Sequence, residues 1–525
     1  MRLNFHFKLG AGTAIGLVSA FFAQAQPDVD IMATDIARHI QYLASDALQG
    51  RDTPSPGLDS AAVYIAREFH NLGLAPVGNS YFHDLGLARV DLGPVQQLTI
   101  HTPQGSSLGF QLKDDFVPLE SIGDTSITAP LVFAGYGLHL PDQGYDDYKG
   151  IDVRGKIVVV LTHFPNENAD AENSTPEKKK IYDYSVNSKI KTARQLGAAG
   201  LIVVTDPLNH VLLKPRVGSW PALSRSTHKP LPPLVFKTDR KNFPAIYGGE
   251  RVIEALFGSV DELKALQAEI DKTMKPRSFE MKGFNATLIT SVKIDPVKAS
   301  NVMAIRPGSD PRQNGQYVVL GAHYDHVGMD RSAGPGQDVI YNGADDNASG
   351  TAAVLAIAKS LVNGGFTTGR SLVFVLFAGE EVGLLGSRSM VKNPPFPLDS
   401  IAAMLNFDMV SRGGPDTLYL GGLKLSPDLQ SLALQEIEGT GLRLITSPKS
   451  DGLGGSDHAP FLQAGIPALH FFTGLHRDYH QVTDEFSKVD PQKAALVAQL
   501  GLRMALRIAD LPQKPRRVPE FYLKK

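Results

Sequence analysis

The sequence has no cysteine in its 525 residues. Disulfides and thiolate metal ligands are therefore excluded, and any metal must be held by imidazole and carboxylate groups. Neither sign of charge dominates, since 52 lysines and arginines face 54 aspartates and glutamates for a formal net charge of −2. That balance offers nothing to attract nucleic acid or an anionic membrane surface. Long apolar runs are also scarce. The one near the start, Leu9 to Phe22, follows Arg2 and Lys8 and precedes Ala23-Gln24-Ala25. This is the pattern of an export signal cleaved after Ala25. A retained anchor is the alternative, but the run is shorter than the roughly 20 residues a spanning helix needs. The expected mature protein is exported, periplasmic or extracellular, and has no stable membrane insertion. With no cysteine beside the cleavage site, lipid attachment there is not expected.

A chain of this length is too long for one ordinary core, so two or more domains are expected. Residues 1–25 read as the signal. Residues 26–127 read as the first part of a catalytic domain, with helical patterns at Ile36 to Leu43 and Gly57 to Leu72 around the polar loop Ser45 to Arg51. Strands are expected near Gln97 to His101. Residues 128–282 form a distinct stretch, with strand-like runs at Leu131 to Ala134, Lys156 to Thr162, Gly200 to Val204 and Pro233 to Phe236. Lys189 to Leu196 reads as a helix ended by Gly197, and Pro165 to Lys180 as a polar surface loop. From 283 to 525, apolar runs alternate with helical patterns and end in a helix over Gln492 to Ala509. Alternation of that kind predicts an α/β fold with a mostly parallel sheet covered by helices.

Five candidate metal ligands occupy five short motifs in this last stretch. They are His323 in GAHYDHVG, Asp345 in NGADDNASG, Glu381 in FAGEEVGLLGS, Asp408 in LNFDMVS and His480 in HRDYHQVTDE. Three of the five motifs follow apolar, β-rich runs (Tyr317 to Leu320, Leu372 to Phe377 and Ile401 to Phe407) that read as buried parallel strands. In open α/β sheets, ligands bind beyond the carboxyl ends of the strands, where distant residues converge. Oxygen and imidazole donors together point to zinc or a similar divalent ion.

Each residue also has a plainer reading. Asp325 is suited to orient the His323 ring through its other nitrogen. Asp345 and Asp346 precede the helical pattern Gly350 to Leu361, so the pair reads either as a ligand site or as a capping cluster; both hold if Asp345 binds metal while Asp346 or Asn347 caps. Glu380 and Glu381, adjacent after an apolar strand, either share a cation or form an acidic helix start. Division of labour is favoured, with Glu381 on metal and Glu380 as a general base. His458, His470 and His476 compete with His480, which only its motif selects. Gly454-Gly455-Ser456-Asp457-His458 reads as a pocket segment or as a turn with a capping aspartate, and Trp220 as packing or as a cover for the site.

The set GAHYDH, GADDNASG, FAGEEVGLLGS, NFDM and YHQVTD, in this order, resembles the co-catalytic di-zinc exopeptidases, a family that includes aminopeptidase Y, bacterial secreted aminopeptidases and glutamate carboxypeptidase. The middle stretch resembles an inserted protease-associated domain through LVFAGYGL, YDDYKGIDVRGKIVVVL and KTARQLGAAGLIVV. The resemblance implies the zinc exopeptidase fold, with a mixed, mostly parallel sheet and a β-rich insertion. It also implies two zinc ions per chain bridged by Asp345, one completed by His323 and Asp408 and the other by Glu381 and His480. Glu380 would be the catalytic base acting on a water between the metals, and Asp325 the partner of His323.

A secreted zinc aminopeptidase acting on peptides with a free N-terminus is thus expected. A carboxypeptidase of the same family is the alternative, and would need a cationic pocket supplied from Arg331, Arg388, Arg412 or Arg477. A peptide-binding module with structural metal is a third reading; the carboxylate-heavy donor set weighs against it, because structural zinc sites are usually rich in cysteine or histidine.

Overall fold

In the computed structural model, the described residues are 30–119, 123–167, 185–212, 220, 232–239, 243–330, 333–334, 336–445 and 455–518. The expected signal peptide, most of the polar loop after 167, Arg331 and Gly454 lie outside them.

Two nine-stranded sheets organise the chain. The centre of the first consists of four parallel strands, in the order Ser371–Phe377, Tyr317–His323, Ile401–Phe407 and Ala468–Phe472. Antiparallel strands Ser300–Arg306 and Thr417–Gly421 flank them, so the sheet is mixed with a parallel core. The central strands are apolar throughout because both faces are covered. Val318, Leu320, Leu372, Phe374 and Leu376 face one apolar cluster, while Val319, Val373, Val375 and Phe377 face another. That alternation is the period-two geometry of a strand packed on both sides.

Helices Ala33–Leu43, Pro56–Asn71, Gly350–Asn363 and Pro491–Asp510 cover the first face. Their starts follow local chemistry. Ser55 accepts from the Leu58 N–H ahead of Pro56, and Asp490 accepts from the N–H groups of Gln492 and Lys493 ahead of Pro491, which satisfies donors that a helix leaves unpaired. Helices Leu385–Lys392 and His458–Gln463 contribute Met390, Phe461 and Leu462 to the other face. The segments expected to be strands and helices here are found as such, with ends shifted by a few residues.

The second sheet takes strands from both sides of the expected insertion as well as from within it. Its strand order is Leu234–Phe236, Leu87–His101, Ser278–Val297, Thr125–Ala134, Ile157–Leu161, Gly200–Val204, Ala245–Gly248 and Phe116–Pro118, and the ninth strand, Ser107–Phe110, pairs with Leu87–His101 off this path. Leu87–His101 and Phe116–Pro118 were expected with the catalytic stretch, and most of Ser278–Val297 beyond the insertion. Twelve residue pairs join Leu87–His101 to Ser278–Val297, from Asn285 with His101 to Val297 with Leu87. Those backbone ladders tie the two flanks to the strands of the inserted unit, which sequence periodicity could not show because pairing partners lie 184 to 210 residues apart. Trp220 is buried beside Val90, Leu92 and Val117 and donates its indole N–H to Pro118 O at 2.7 Å. It belongs to this packing and not to a cover over the site.

Candidate metal centre

The carboxyl ends of the central strands hold the candidate residues, as chain direction requires. His323 is the last residue of its strand, paired with Phe377, and Asp408 follows Phe407 directly. His323 Nε2 lies 3.3 Å from both Asp408 Oδ1 and Asp346 Oδ1. On the other side of Asp346, His480 Nε2 lies 3.1 Å from Asp346 Oδ2 and 3.0 Å from Glu381 Oε2. His480 reaches this position from a left-handed backbone conformation (φ 54°), uncommon for a side chain of its size.

Two donor groups therefore share one carboxylate, and it is that of Asp346. Asp345, expected in this place, is committed elsewhere. Its Oδ1 accepts from Ser349 Oγ at 3.0 Å, Ser411 Oγ at 2.6 Å and the Ser411 N–H at 2.9 Å, while Oδ2 meets His476 Nε2 at 3.2 Å. The physical reason is local. Asp346 takes an extended conformation (φ −104°, ψ 98°) inside the turn Ala344–Ser349, and successive side chains of an extended segment point to opposite sides. The cap is Asn347, whose Oδ1 accepts from the N–H groups of Gly350 and Met409.

Surrounding contacts hold these groups in place. Asp325 Oδ1 lies 3.8 Å from His323 Nδ1 and accepts the Glu380 N–H at 3.1 Å, while Oδ2 accepts from Thr53 at 3.2 Å. The nearer partner of His323 Nδ1 is the Asp325 carbonyl, at 3.2 Å. Asp484, from the last motif, accepts the N–H groups of both Asp345 and Asp346. Arg51 is buried and donates to the carbonyls of Leu43, Tyr324, Asn342 and Gly343, joining the polar loop to two of the site's segments. Neither Asp484 nor Arg51 was singled out from sequence; the positions inside the YHQVTD motif and the polar loop were their only signals.

His326 is a further residue that the reading passed over. It is buried, its Nδ1 donates to Glu381 Oε1 at 2.8 Å, and it stands with Asp346, Glu381 and His480 in one group of donors within 4.8 Å of one another. The visible signal was the second histidine of GAHYDHVG. The competing histidines separate cleanly. His458 and His470 stack on each other at 4.6 Å on the cavity wall, and His476 serves Asp345. Asp457 is buried and accepts from Ser387 Oγ.

Electrostatics at the cluster call for positive charge. Burial pushes the Glu380 carboxyl up to about 10, reinforced by Asp457, Asp408 and Glu381 and opposed by His323. Asp325 is likewise raised, to about 6, by burial. Hydrogen bonds to Asp346 and Glu381 raise the His480 imidazole to about 10. The Nε2 atoms of His326 and His470 are buried without a hydrogen-bond partner. Buried carboxylates crowded against imidazole nitrogens fit divalent cations, and the nitrogen and oxygen donors suit zinc.

A cavity of about 490 Å³ opens onto the cluster. His323, Asp346, Glu380 and Asp408 form its polar end, and Met409, Tyr419, Phe472, Leu475 and Tyr479 its apolar walls. Among the described residues no arginine or lysine lines it. Arg412 is paired with Asp478 at 2.8 Å, and Arg388 lies over the Phe236 ring.

Residues 301–505 match the model of peptidase family M28, and residues 127–233 match the PA domain. The chain carries an M28 peptidase domain with an inserted PA domain. Leupeptin-inactivating enzyme 1 of Streptomyces exfoliatus is 32% identical over 207 residues, covering 39% of this chain and 42% of that protein. A probable leucine aminopeptidase of Arthroderma benhamiae is 29% identical over 233 residues, covering 42% and 62% respectively. A solved zinc aminopeptidase from Bacillus subtilis aligns over 93% of this chain and 97% of its own, at 20% identity and a TM-score of 0.44. The chain spans 42% and 62% of the lengths of these two curated relatives. The M28 match contains every candidate ligand, from His323 to His480.

Proposed function

We propose that this M28 protein is an exported zinc-dependent aminopeptidase that removes apolar N-terminal residues from peptides. The observation that carries the reading is the Asp346 carboxylate, placed between His323 with Asp408 on one side and Glu381 with His480 on the other. His323, Asp408 and Asp346 would hold one zinc, and Glu381, His480 and Asp346 the second, with His326 fixing Glu381. Bound zinc supplies Lewis acidity, polarising the scissile carbonyl and making water acidic enough to react near neutral pH.

The chain's own groups do the rest. Glu380 lines the cavity beside His323 and Asp408, where its carboxylate takes the proton of the attacking water and passes it to the leaving amine nitrogen. Cation charge close by opposes the burial and the neighbouring carboxylates that raise its pKa. Carboxylates at the inner end favour a substrate ammonium over a carboxylate, which supports cleavage from the amino end. Met409, Phe472 and Leu475 offer an apolar side chain a place to leave water.

The test is hydrolysis of aminoacyl-p-nitroanilides beside N-blocked peptides, before and after chelation and zinc restoration. Chelator-sensitive cleavage confined to free-amine substrates, with leucine above aspartate or lysine, is expected. Cleavage only of N-blocked peptides at their C-termini would overturn the reading in favour of a carboxypeptidase. The Glu380→Gln variant is expected to keep its zinc content and lose about 10²–10⁴-fold in kcat, the range of a positioned general base. Undiminished turnover in that variant would remove Glu380 from the role.

A further inference from the structure

A second donor cluster lies in the inserted domain. Strands Ile157–Leu161 and Gly200–Val204 run parallel, with Leu161 paired to Val204. Two residues beyond each of these partners stand His163 and Asp206, and four residues further stand Glu167 and His210. The two strand ends thus carry matching pairs in opposite order, His-x3-Glu on one and Asp-x3-His on the other. Each carboxylate meets the imidazole of the opposite segment. His163 Nδ1 lies 2.8 Å from Asp206 Oδ1, and His210 Nε2 lies 2.8 Å from Glu167 Oε2. The rings stack with centroids 3.9 Å apart, and all four donors fall within 4.8 Å of one another.

We propose that His163, Glu167, Asp206 and His210 bind one divalent transition-metal ion of the zinc type, separate from the catalytic centre. Asp206 supplies the independent sign of a ligand. It is fully buried, and its Oδ2 has no hydrogen-bond partner although it lies 3.6 Å from His210 Nε2 within the cluster. An uncompensated buried carboxylate oxygen is costly, and a cation at this point satisfies it. Two imidazole nitrogens and two carboxylate oxygens, without thiolate, form a four-ligand set compatible with zinc.

A tetrahedral zinc site with bonds of about 2.0–2.1 Å has donor edges of roughly 3.4 Å, so the widest donor pairs must draw in on binding. The two histidines are placed to do so, since their side chains are 42% and 36% exposed. Lys189 is the opposing charge. Its Nζ donates to the carbonyls of Leu161 and His163, which fixes the backbone of the first histidine. Burial pushes its pKa down to about 7, and two carboxylates outweigh it. Four protein ligands close the coordination shell, so the ion clamps the two strand ends and takes no part in hydrolysis.

The experiment is metal analysis of untagged full-length protein after dialysis against buffered micromolar zinc, compared with His163→Gln/His210→Gln. The wild type is expected to hold one zinc per chain more than the double variant, with unchanged aminopeptidase turnover. Because the readout is a difference, it does not depend on how many ions the catalytic centre holds. Equal zinc content in folded wild type and variant would overturn the proposal and leave a hydrogen-bonded histidine–carboxylate cluster. If circular dichroism shows the double variant unfolded, the single variants His163→Gln and His210→Gln replace it. Each is expected to weaken binding of the additional zinc at least about tenfold, as loss of a first ligand should exceed the 10–100-fold cost of losing an outer partner; unchanged titrations would reject the site.

Discussion

Asp345 and Asp346 show how much one position can matter in an extended turn. Both are buried, both are acidic and both belong to the same motif, yet their carboxylates serve different networks. Asp346→Asn is expected to lower zinc affinity at both candidate sites, because the shared carboxylate is lost. Asp345→Asn keeps the cluster's donors and instead weakens the contacts to Ser349 and Ser411, at a cost of about 1–3 kcal/mol for a buried charge-assisted set. Zinc titration and urea unfolding of the two variants separate these outcomes. Zinc loss in Asp345→Asn with retention in Asp346→Asn would restore the assignment that the motif alone suggested. That His323, Glu381, Asp408 and His480 come together was expected from the motifs that hold them, and the structure does bring these side chains to one place. The double aspartate was not legible, because both residues have the same chemistry and only their backbone angles distinguish them.

The helix Gly350–Asn363 and the strand Ile401–Phe407 meet at a contact that leaves no room for a side chain. A Cβ on Gly350 would fall 2.2 Å from Phe407 O and 2.3 Å from Asn347 Oδ1. The turn that carries Asp346 and the strand end that carries Asp408 are therefore held together by a missing methyl group. Gly350→Ala should force them apart, lowering stability by about 1–3 kcal/mol as overpacking does and reducing zinc affinity as well. Calorimetric unfolding paired with zinc titration checks this; a loss of stability with wild-type affinity would show that the turn moves as a unit. The central strands and the long helices were readable because two-sided burial and amphipathic periodicity are written locally. The sheet that strand Leu87–His101 joins was not readable, because its partner, Ser278–Val297, is remote and neither segment carries a sign of which sheet it joins.

The sheet-end arrangement is repeated in both parts of the chain, with donors gathered beyond the carboxyl ends of parallel strands at His323 and Asp408 and again at His163 and Asp206. Among the described residues no helix is long and apolar enough to cross a membrane. Export is read from Arg2 to Ala25, and intact-mass measurement of protein recovered outside the cytoplasm is expected to show a chain beginning at Gln26; a mass that includes Met1 would refute cleavage. Composition and motif order by themselves determined that any metal would have imidazole and carboxylate ligands, that the α/β sheet is parallel at its centre and that the candidate ligands gather at its carboxyl strand ends. These properties follow from side-chain chemistry and short-range periodicity. Tertiary structure decided which of two adjacent aspartates enters the cluster, that His326, Asp484 and Arg51 support it, that Leu87–His101 belongs to the inserted sheet, and that four residues of that insertion converge. Each of those depends on backbone direction and on pairing across long sequence separations, which no local pattern encodes.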